Sequence, residues 1–201
     1  THHHGDHTAG NKDVQAATGA PIIGPAYDEA RVPGLQTGLR EGDTWKLGDQ
    51  VAEVFYTPGH TRGHICFWFR DSEVLFSGDT LFALGCGRLF EGEPAQMWES
   101  LQKLRRLPDS TRVYCGHEYT ETNARCALDL DPDNAALQDY ARQVRELRAR
   151  QEATVPTELG REKAANPFLR ADDPALAQAL GMSGATPVEV FTRVRAARNQ
   201  Y

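Results

Sequence analysis

The histidines are the feature that most constrains how this chain can fold. All seven lie in three short segments of the 201-residue sequence. Histidines with only a surface or core role would be scattered along the chain, so three tight groups indicate one shared site. The fold must therefore bring together side chains that are far apart in the sequence: His2, His3, His4, His7, His60, His64 and His117.

The first group has the spacing of a metal-binding loop. Residues 1–7 read Thr-His-His-His-Gly-Asp-His. In an extended loop, residues two apart point to the same side, so His2 and His4 can bind one ion while Asp6 and His7 turn toward a second. An expression tag is the alternative explanation of a terminal histidine run. A tag does not alternate with glycine and aspartate, however, and it leaves the internal groups unexplained.

Composition and charge exclude several classes of protein. The net charge of -6 argues against a broad basic surface for nucleic acid. No apolar run approaches the roughly 20 residues of a membrane span, so no membrane partner is expected. The four cysteines form no C-x-x-C pair, and a chain of this length needs no disulfides, which predicts reduced thiols and a cytoplasmic location. The sequence does not fix the oligomeric state; a monomer is favoured.

The apolar pattern changes near residue 118. Before it, β-branched and aromatic runs between Gly, Asp and Pro turns predict short strands, and helices are predicted over 8–17 and 94–107. After it, no strand signal remains and helical spacing dominates. The sequence thus predicts an α+β protein with a metal-binding domain over residues 1–117 and a small all-α domain over residues 118–201. The predicted strands are 21–24, 44–47, 51–56, 65–69, 74–77 and 111–115, and the later helices are 135–152, 174–180 and 187–198.

The histidine-rich loop begins at Thr1, with no strand ahead of it. A metal-binding loop of this kind normally needs a rigid element to position it. We therefore expect the first strands of this domain to be absent from the sequence.

Three later residues directly follow predicted strands and can complete the site: His60, Asp79 and His117. Because strand ends converge at the rim of a sheet, we expect them to meet the histidine-rich loop. His3 is expected to point away from the ions, and His64 to support the ligands from outside. We predict two ions, the first held by His2, His4 and His60, the second by Asp6, His7 and His117, with Asp79 bridging them.

Several motifs resemble a known family. Residues 1–11, 57–64, 76–80 and 114–120 resemble the metal-binding motifs of the metallo-β-lactamase superfamily. Within it, the chain is similar to the hydroxyacylglutathione hydrolases, also called glyoxalase II. This narrower resemblance rests on Gly-Cys-Gly-Arg-Leu-Phe-Glu-Gly at 85–92, Cys-Gly-His-Glu-Tyr at 115–119, Asn-Pro-Phe-Leu-Arg at 166–170 and the ending at 194–201. It implies an αββα sandwich followed by a helical domain that binds glutathione.

The resemblance also implies a reaction. S-D-lactoylglutathione, a thioester, would be hydrolysed to glutathione and D-lactate in the removal of methylglyoxal. Two divalent cations would activate a bridging hydroxide; zinc is expected, although histidine and carboxylate ligands suit iron and manganese as well. Asp6 is the candidate catalytic residue that orients this hydroxide. A thiolate leaving group needs no dedicated general acid.

Contacts to glutathione follow from the same resemblance. Its carboxylates would meet Arg88, Arg195 and Arg198, of which the last two share one face of a helix. Phe90, His117 and Tyr119 would line the tripeptide. The family commonly has Tyr at position 90 and Lys at position 198, so this chain loses one hydroxyl group and keeps the positive charge.

Two other functions fit part of the sequence. A persulfide dioxygenase of the same superfamily uses a single iron, accepts glutathione derivatives and shares the Gly-Cys-Gly-Arg stretch. The Cys-Gly-His-Glu-Tyr motif and the helical tail favour the hydrolase instead. A non-catalytic metal-binding fragment is the second alternative, and the missing start of the domain is the reason to consider it.

Overall fold

Strands dominate the first half of the chain and helices the second. The computed structural model describes residues 1–201. The strands are β1 (Ile23–Pro25), β2 (Thr37–Leu39), β3 (Thr44–Leu47), β4 (Gln50–Tyr56), β5 (Ile65–Phe69), β6 (Val74–Gly78), β7 (Leu81–Phe82), β8 (Gly85–Cys86), β9 (Arg112–Cys115) and β10 (Thr157–Glu158). The helices are α1 (Gly5–Thr8), α2 (Asn11–Thr18), α3 (Pro94–Arg105), α4 (Thr120–Leu130), α5 (Ala135–Ala149), α6 (Leu159–Ala165), α7 (Pro174–Ala179) and α8 (Pro187–Arg198), with a 3₁₀ helix over Ala26–Arg31.

Six strands form one mixed sheet in the order β10-β9-β6-β5-β4-β3. Strands β3 to β6 follow one another as antiparallel neighbours. Strand β9 then pairs in parallel with β6, after the chain has crossed over through α3. This topology places the ends of β6 and β9 next to each other, so Asp79 and His117 emerge at the same edge of the sheet.

One face of this sheet packs against helices and forms the main core. Inward-facing residues of β5, β6 and β9 alternate with outward-facing ones, as expected for a sheet covered on one side. Helix α3 starts at Pro94, where Glu93 and Gln96 form a reciprocal capping box, and turns its apolar stripe to the sheet. The central residues of this core are Cys66, Trp68, Leu75, Met97, Leu101, Leu104, Val113 and Phe191.

The opposite face of the sheet carries a smaller cluster and a row of aromatic rings. Leu39 of β2 packs there on Val54 and Ile65, next to the two-stranded parallel sheet of β1 and β2. The strand register aligns Phe67, Phe76 and Tyr114 across β5, β6 and β9. Phe76 stacks on Tyr114 with ring centroids 5.4 Å apart and is 44% exposed.

The helices of the second half enclose a separate cluster of eight buried residues. Seven of them belong to α4, α5 and α6, and the eighth is Leu84, from the connection between β7 and β8. Helix α8 packs between α3 and α4. None of the helices combines the length and the apolar character needed to cross a bilayer.

The structure confirms the predicted α+β class, and β3, β5 and α8 have the predicted bounds. The prediction that no strand follows residue 118 is wrong for Thr157–Glu158, which pair with Arg112–Val113. Two residues are too few to show an alternating pattern. The first predicted helix divides into α1 and α2, because Thr8 does not cap it; the Thr8 hydroxyl donates to the His4 carbonyl at 3.0 Å instead. The domain boundary at residues 117 and 118 stays a prediction.

Candidate metal centre

The histidine-rich loop lies against the start of β5. The Ile65 N–H donates to the Thr1 carbonyl at 2.9 Å, which fixes the beginning of the loop beside the sheet. The backbone is extended up to His4 and then enters the single turn of α1. Beyond this change of direction Asp6 and His7 face His117, and the His7 ring also lies 4.2 Å from the His2 ring, so one short segment supplies candidate ligands to two adjoining groups.

The first group consists of His2, His4 and His60. The His4 Nδ1 atom lies 3.1 Å from His2 Nε2 and 3.0 Å from His60 Nε2. His60 reaches this position from the turn after β4, where its Nδ1 lies 2.7 Å from the Arg88 carbonyl. Since a carbonyl only accepts, His60 carries its proton on Nδ1 and directs the Nε2 lone pair toward the other two rings.

The second group consists of Asp6, His7 and His117. The Nε2 atoms of His7 and His117 are 3.1 Å apart, and Asp6 Oδ2 lies 3.2 Å from His117 Nε2. Asp6 is the most accessible member, with 60% of its side chain exposed. The three donor atoms lie within one small sphere, as the three atoms of the first group do.

Asp79 stands between the two groups. Its Oδ2 lies 3.4 Å from both His60 Nε2 and His117 Nε2, and its Oδ1 lies 3.4 Å from His7 Nε2. Oδ1 is buried and has no hydrogen-bond partner. A buried carboxylate oxygen without a donor is costly unless a cation binds it.

These separations of 3.0–3.4 Å are compatible with ligands that share one ion. Tetrahedral ligands at about 2.0–2.1 Å from an ion lie about 3.3–3.4 Å from one another, close to the observed separations. Burial lowers the pKa of His2, His4 and His60, so these rings are neutral and keep a free lone pair. The structure thus brings together the side chains of all seven predicted ligands.

Two histidines lie outside this constellation. His64 is fully buried; its Nε2 accepts from the Asp79 N–H at 3.0 Å, and its Nδ1 lies 3.0 Å from the Thr57 and Thr80 hydroxyls. It therefore fixes the backbone of Asp79. His3 points to the other side of the loop, where its Nδ1 lies 2.7 Å from Asp28 Oδ2.

A cavity of about 400 Å³ opens beside the ligands. Tyr119 stacks on His117 with the ring planes 15° apart, and Phe90 stands edge-on to the rings of His4 and His60. Arg88 and Arg198 line the same cavity. Every predicted substrate-binding residue borders it: Arg88, Phe90, His117, Tyr119, Arg195 and Arg198.

The two arginines of α8 are held differently from each other. Arg195 is buried, and its Nη1 donates to the Cys86 carbonyl at 2.7 Å. Arg198 is half-buried, and its Nε donates to Asn123 Oδ1 at 2.7 Å. Each guanidinium is therefore already fixed by a protein acceptor, and the predicted clamp of both on one carboxylate stays a prediction.

Several cavity residues were not predicted from the sequence. Asn123 lies in α4, a helix that was not predicted from the sequence. Cys86 is buried, and burial raises its pKa to about 11, so it remains a neutral thiol at pH 7. The remaining unpredicted residues of the cavity wall are Phe82, Asn199 and Tyr201.

Comparison with known proteins gives consistent matches along the whole chain. The family model of the metallo-beta-lactamase superfamily matches residues 1–117, and that of the hydroxyacylglutathione hydrolase C-terminus matches residues 118–201. The hydroxyacylglutathione hydrolase of Maricaulis maris is 56% identical over 201 residues, which are 100% of this chain and 78% of that protein. The protein of the same name from Rhodospirillum rubrum is 54% identical with the same coverage. Among solved structures, ETHE1 from Myxococcus xanthus superposes with a TM-score of 0.61 at 24% identity, covering 98% of this chain and 73% of that one. Similarity at that identity shows the fold alone.

Proposed function

Because the chain belongs to the hydroxyacylglutathione hydrolases of the metallo-β-lactamase superfamily, we propose that it hydrolyses S-D-lactoylglutathione to glutathione and D-lactate. The observation that carries this proposal is the junction of seven metal-ligand side chains with a cavity lined by arginines. Such a cavity suits an anionic peptide thioester whose reactive carbonyl must approach the ligands.

We propose two divalent cations, most simply zinc. His2, His4 and His60 would hold the first, Asp6, His7 and His117 the second, and Asp79 would contact both. Bound divalent cations polarise a carbonyl and lower the pKa of water toward neutrality. His64 and Arg88 contribute from outside, since His64 fixes the backbone of Asp79 and the Arg88 carbonyl orients His60.

Asp6 is the residue best placed to act on the attacking water. Its carboxylate is exposed to the cavity and lies beside His117. A carboxylate accepts hydrogen bonds, so Asp6 can orient the water for attack on the thioester carbon. The thiol of the leaving group has a pKa of about 8.5, so the thiolate can depart without protonation by a protein acid.

Positive charge in the cavity recognises glutathione. Arg88 and Arg198 both line the cavity, and burial together with the positive charges of Arg195 and Arg88 lowers the pKa of Arg198. A bound carboxylate would relieve this mutual repulsion. We propose that Arg88 and Arg198 bind the carboxylates, that Phe90 and Tyr119 contact the peptide, and that Arg195 also maintains the wall of the cavity.

Hydrolysis of the thioester by the purified, metal-loaded protein tests the reaction and the role of Arg198 together. Charged hydrogen bonds contribute about 1.5–3 kcal/mol, so Arg198→Ala should raise KM by about 10-fold or more. Arg193→Ala is the matched control, because Arg193 is exposed on the same helix and does not border the cavity. An unchanged KM in Arg198→Ala would remove this residue from substrate binding.

The same preparation distinguishes the alternatives. Oxygen uptake with glutathione persulfide by protein that contains one iron would indicate a dioxygenase. Binding of metal without loss of the thioester would indicate a non-catalytic fragment. We favour the hydrolase, because relatives of that name match this chain at about half of all positions.

We also propose a reducing cytoplasmic location. The four cysteines are all unpaired, and burial raises the pKa of Cys66 and Cys115 to about 11. Neutral buried thiols without partners are typical of reducing compartments. The proposed partner is a small-molecule thioester. The proposed reaction needs no second subunit, so we propose a monomer.

A further inference from the structure

The hairpin of β7 and β8 has an unusual connection. Ala83 and Leu84 join its two strands, and Leu84 has a φ of 55°, in the left-handed region that β-branched and other bulky residues rarely enter. Such a backbone persists only where its surroundings impose it. The Leu84 side chain is 1% exposed and is buried among helices α4, α5 and α6 rather than in the core under the sheet.

Side chains of the helical half bind the backbone of this hairpin at five positions. Glu162 Oε2 accepts from the Leu84 N–H at 2.8 Å. Asn166 Nδ2 lies 3.2 Å from the Phe82 carbonyl and 3.1 Å from the Gly85 carbonyl. The two remaining carbonyls complete the set: Asn123 Nδ2 donates to Ala83 at 2.9 Å, and Arg195 Nη1 donates to Cys86 at 2.7 Å.

Glu162 is central to this arrangement. It is a carboxylate with 0% exposure, and no cationic side chain pairs with it. Four donors surround it instead: the Leu84 N–H and Asn166 Nδ2 at Oε2, and the Tyr140 and Thr157 hydroxyls at Oε1. Burial raises the pKa of Glu162, and the four hydrogen bonds oppose that rise. Because donors surround both carboxylate oxygens, the Glu162 side chain is held in one orientation.

The hairpin connects the two halves of the site. It begins two residues after Asp79 and ends two residues before Arg88. Phe82 and Cys86 form part of the cavity wall, and the Phe82 ring packs edge-on against Tyr119 with centroids 5.5 Å apart. A displaced hairpin would therefore change the cavity where substrate binds, while the ligands on the histidine-rich loop stay in place.

We propose that Glu162 is a positioning residue for catalysis, which holds the 81–86 hairpin in the conformation that shapes the substrate cavity. This extends the proposed function, because it assigns the helical half a role in building the site as well as in contacting glutathione. Asn166 acts with Glu162, since it bonds both the carboxylate and two hairpin carbonyls.

The test compares Glu162→Met with Glu162→Gln in the full, zinc-loaded chain. Methionine keeps the volume and removes both acceptors; glutamine keeps an acceptor for the Leu84 N–H, and the Tyr140 and Thr157 hydroxyls can rotate to accept from its amide. Since small misplacements in a site can cost about 100-fold, we expect Glu162→Met to raise KM by at least about fivefold with metal content unchanged. Glu162→Gln should restore KM to within about twofold of the wild type.

A second measurement separates positioning from general destabilisation. Hydrogen exchange of the Leu84 amide should accelerate by at least about tenfold in Glu162→Met and remain protected in Glu162→Gln. Val144→Ala is the control, because it loosens the same helical cluster and removes no hydrogen bond of Glu162 or of the hairpin; its KM should be unchanged. If Glu162→Met does not fold, Asn166→Ala takes its place, with the same rise in KM expected.

An unchanged KM with lower kcat would overturn the proposal, because loss of folded protein reduces the number of sites without altering those that remain. Loss of metal in parallel with activity would also contradict it. If the wild type does not hydrolyse the thioester, the proposed function fails. The positioning role is then judged by Leu84 exchange and by the affinity for glutathione itself, measured calorimetrically.

Discussion

Individual side chains in this protein combine structural and chemical roles that their residue type alone does not reveal. The Asp79 N–H donates to His64 Nε2, and the Asp79 carboxylate faces both groups of candidate ligands and has one buried oxygen without a hydrogen-bond donor. Arg31 and Glu91 show a second case. The guanidinium of Arg31 donates to Glu91 at 2.6 Å, and the Arg62 N–H adds a bond at 2.9 Å. Glu91 thereby ties the segment that carries Phe90 to the 3₁₀ helix.

The Arg31–Glu91 pair predicts a specific dependence of stability on pH. The hydrogen bond from Arg31 lowers the pKa of Glu91 to about 2, from 4.5 when unperturbed. Because the folded pKa is depressed, the stabilisation is present above about pH 4.5 and is lost as the pH falls toward 2. After allowance for the exposure of Arg31, Arg31→Met should lower the free energy of unfolding by about 1–2 kcal/mol at pH 7.

Urea titration of metal-free protein at several pH values measures this effect. The difference between wild type and Arg31→Met should shrink as the pH falls from 4.5 to 2. Arg70→Met is the control, since its partner Glu53 is exposed and a surface pair contributes about 0–1 kcal/mol. A difference that stays constant through this range would mean that Arg31 stabilises the fold by packing.

At the scale of single elements, helix α8 is defined by its ends. Thr186 and Glu189 form a capping box, Pro187 occupies the first turn, and Arg195 and Arg198 lie in the last turn. The cap thus fixes where the helix begins, whereas contacts to Asn123 and to the Cys86 carbonyl fix its last turn at the cavity. Basic residues in the last turn also oppose the negative end of the helix dipole.

Removal of this cap should reduce stability without affecting substrate binding. Thr186→Ala should lower the free energy of unfolding by about 1 kcal/mol, because an orphan N–H loses its acceptor. KM should not change, since the last turn is fixed by Asn123 and by the Cys86 carbonyl. Thr192→Ala, at an exposed position of the same helix, should change stability by no more than about 0.5 kcal/mol. A rise in KM for Thr186→Ala would show that the cap positions Arg198.

Elements with an apolar run or clear cap residues could be predicted from the sequence. Strand β5 is a run of apolar residues and helix α8 begins with Thr186 and Pro187, and their predicted bounds agree with the structure. Helices α4 and α6 were missed because their buried positions include small or polar residues, such as Ala124 and Glu162, which look like a solvent-facing surface. The metal-ligand candidates could be predicted because their residue types and spacing identify them. The role of Glu162 could not be predicted, because it depends on partners that only the tertiary structure brings together.

For the molecule as a whole, metal binding should contribute to folding stability. The ligand atoms come from residues 2–7, 60, 79 and 117, which the unfolded chain holds far apart. A cation that binds only the folded state stabilises it by about 2.7 kcal/mol at 100 times its Kd. For a chain of this size, zinc should therefore raise Tm by about 5–10 °C.

Thermal unfolding with and without chelator measures this rise, and Asp79→Ala provides the comparison. That variant lacks the carboxylate between the two groups, so its Tm should respond less to zinc. An equal response would show that Asp79 does not bind the ions in the folded protein.

Each half of the chain contributes one element to the packing of the other half. Leu84 enters the helical cluster, and β10 joins the edge of the sheet. Residues 118–201 are consequently not an interchangeable module in recombination between relatives. A chimera that replaced residues 118–201 alone would pack the helices of one protein on the 81–86 hairpin of another. We therefore expect functional exchange to require that the hairpin is inherited with the helices that hold it.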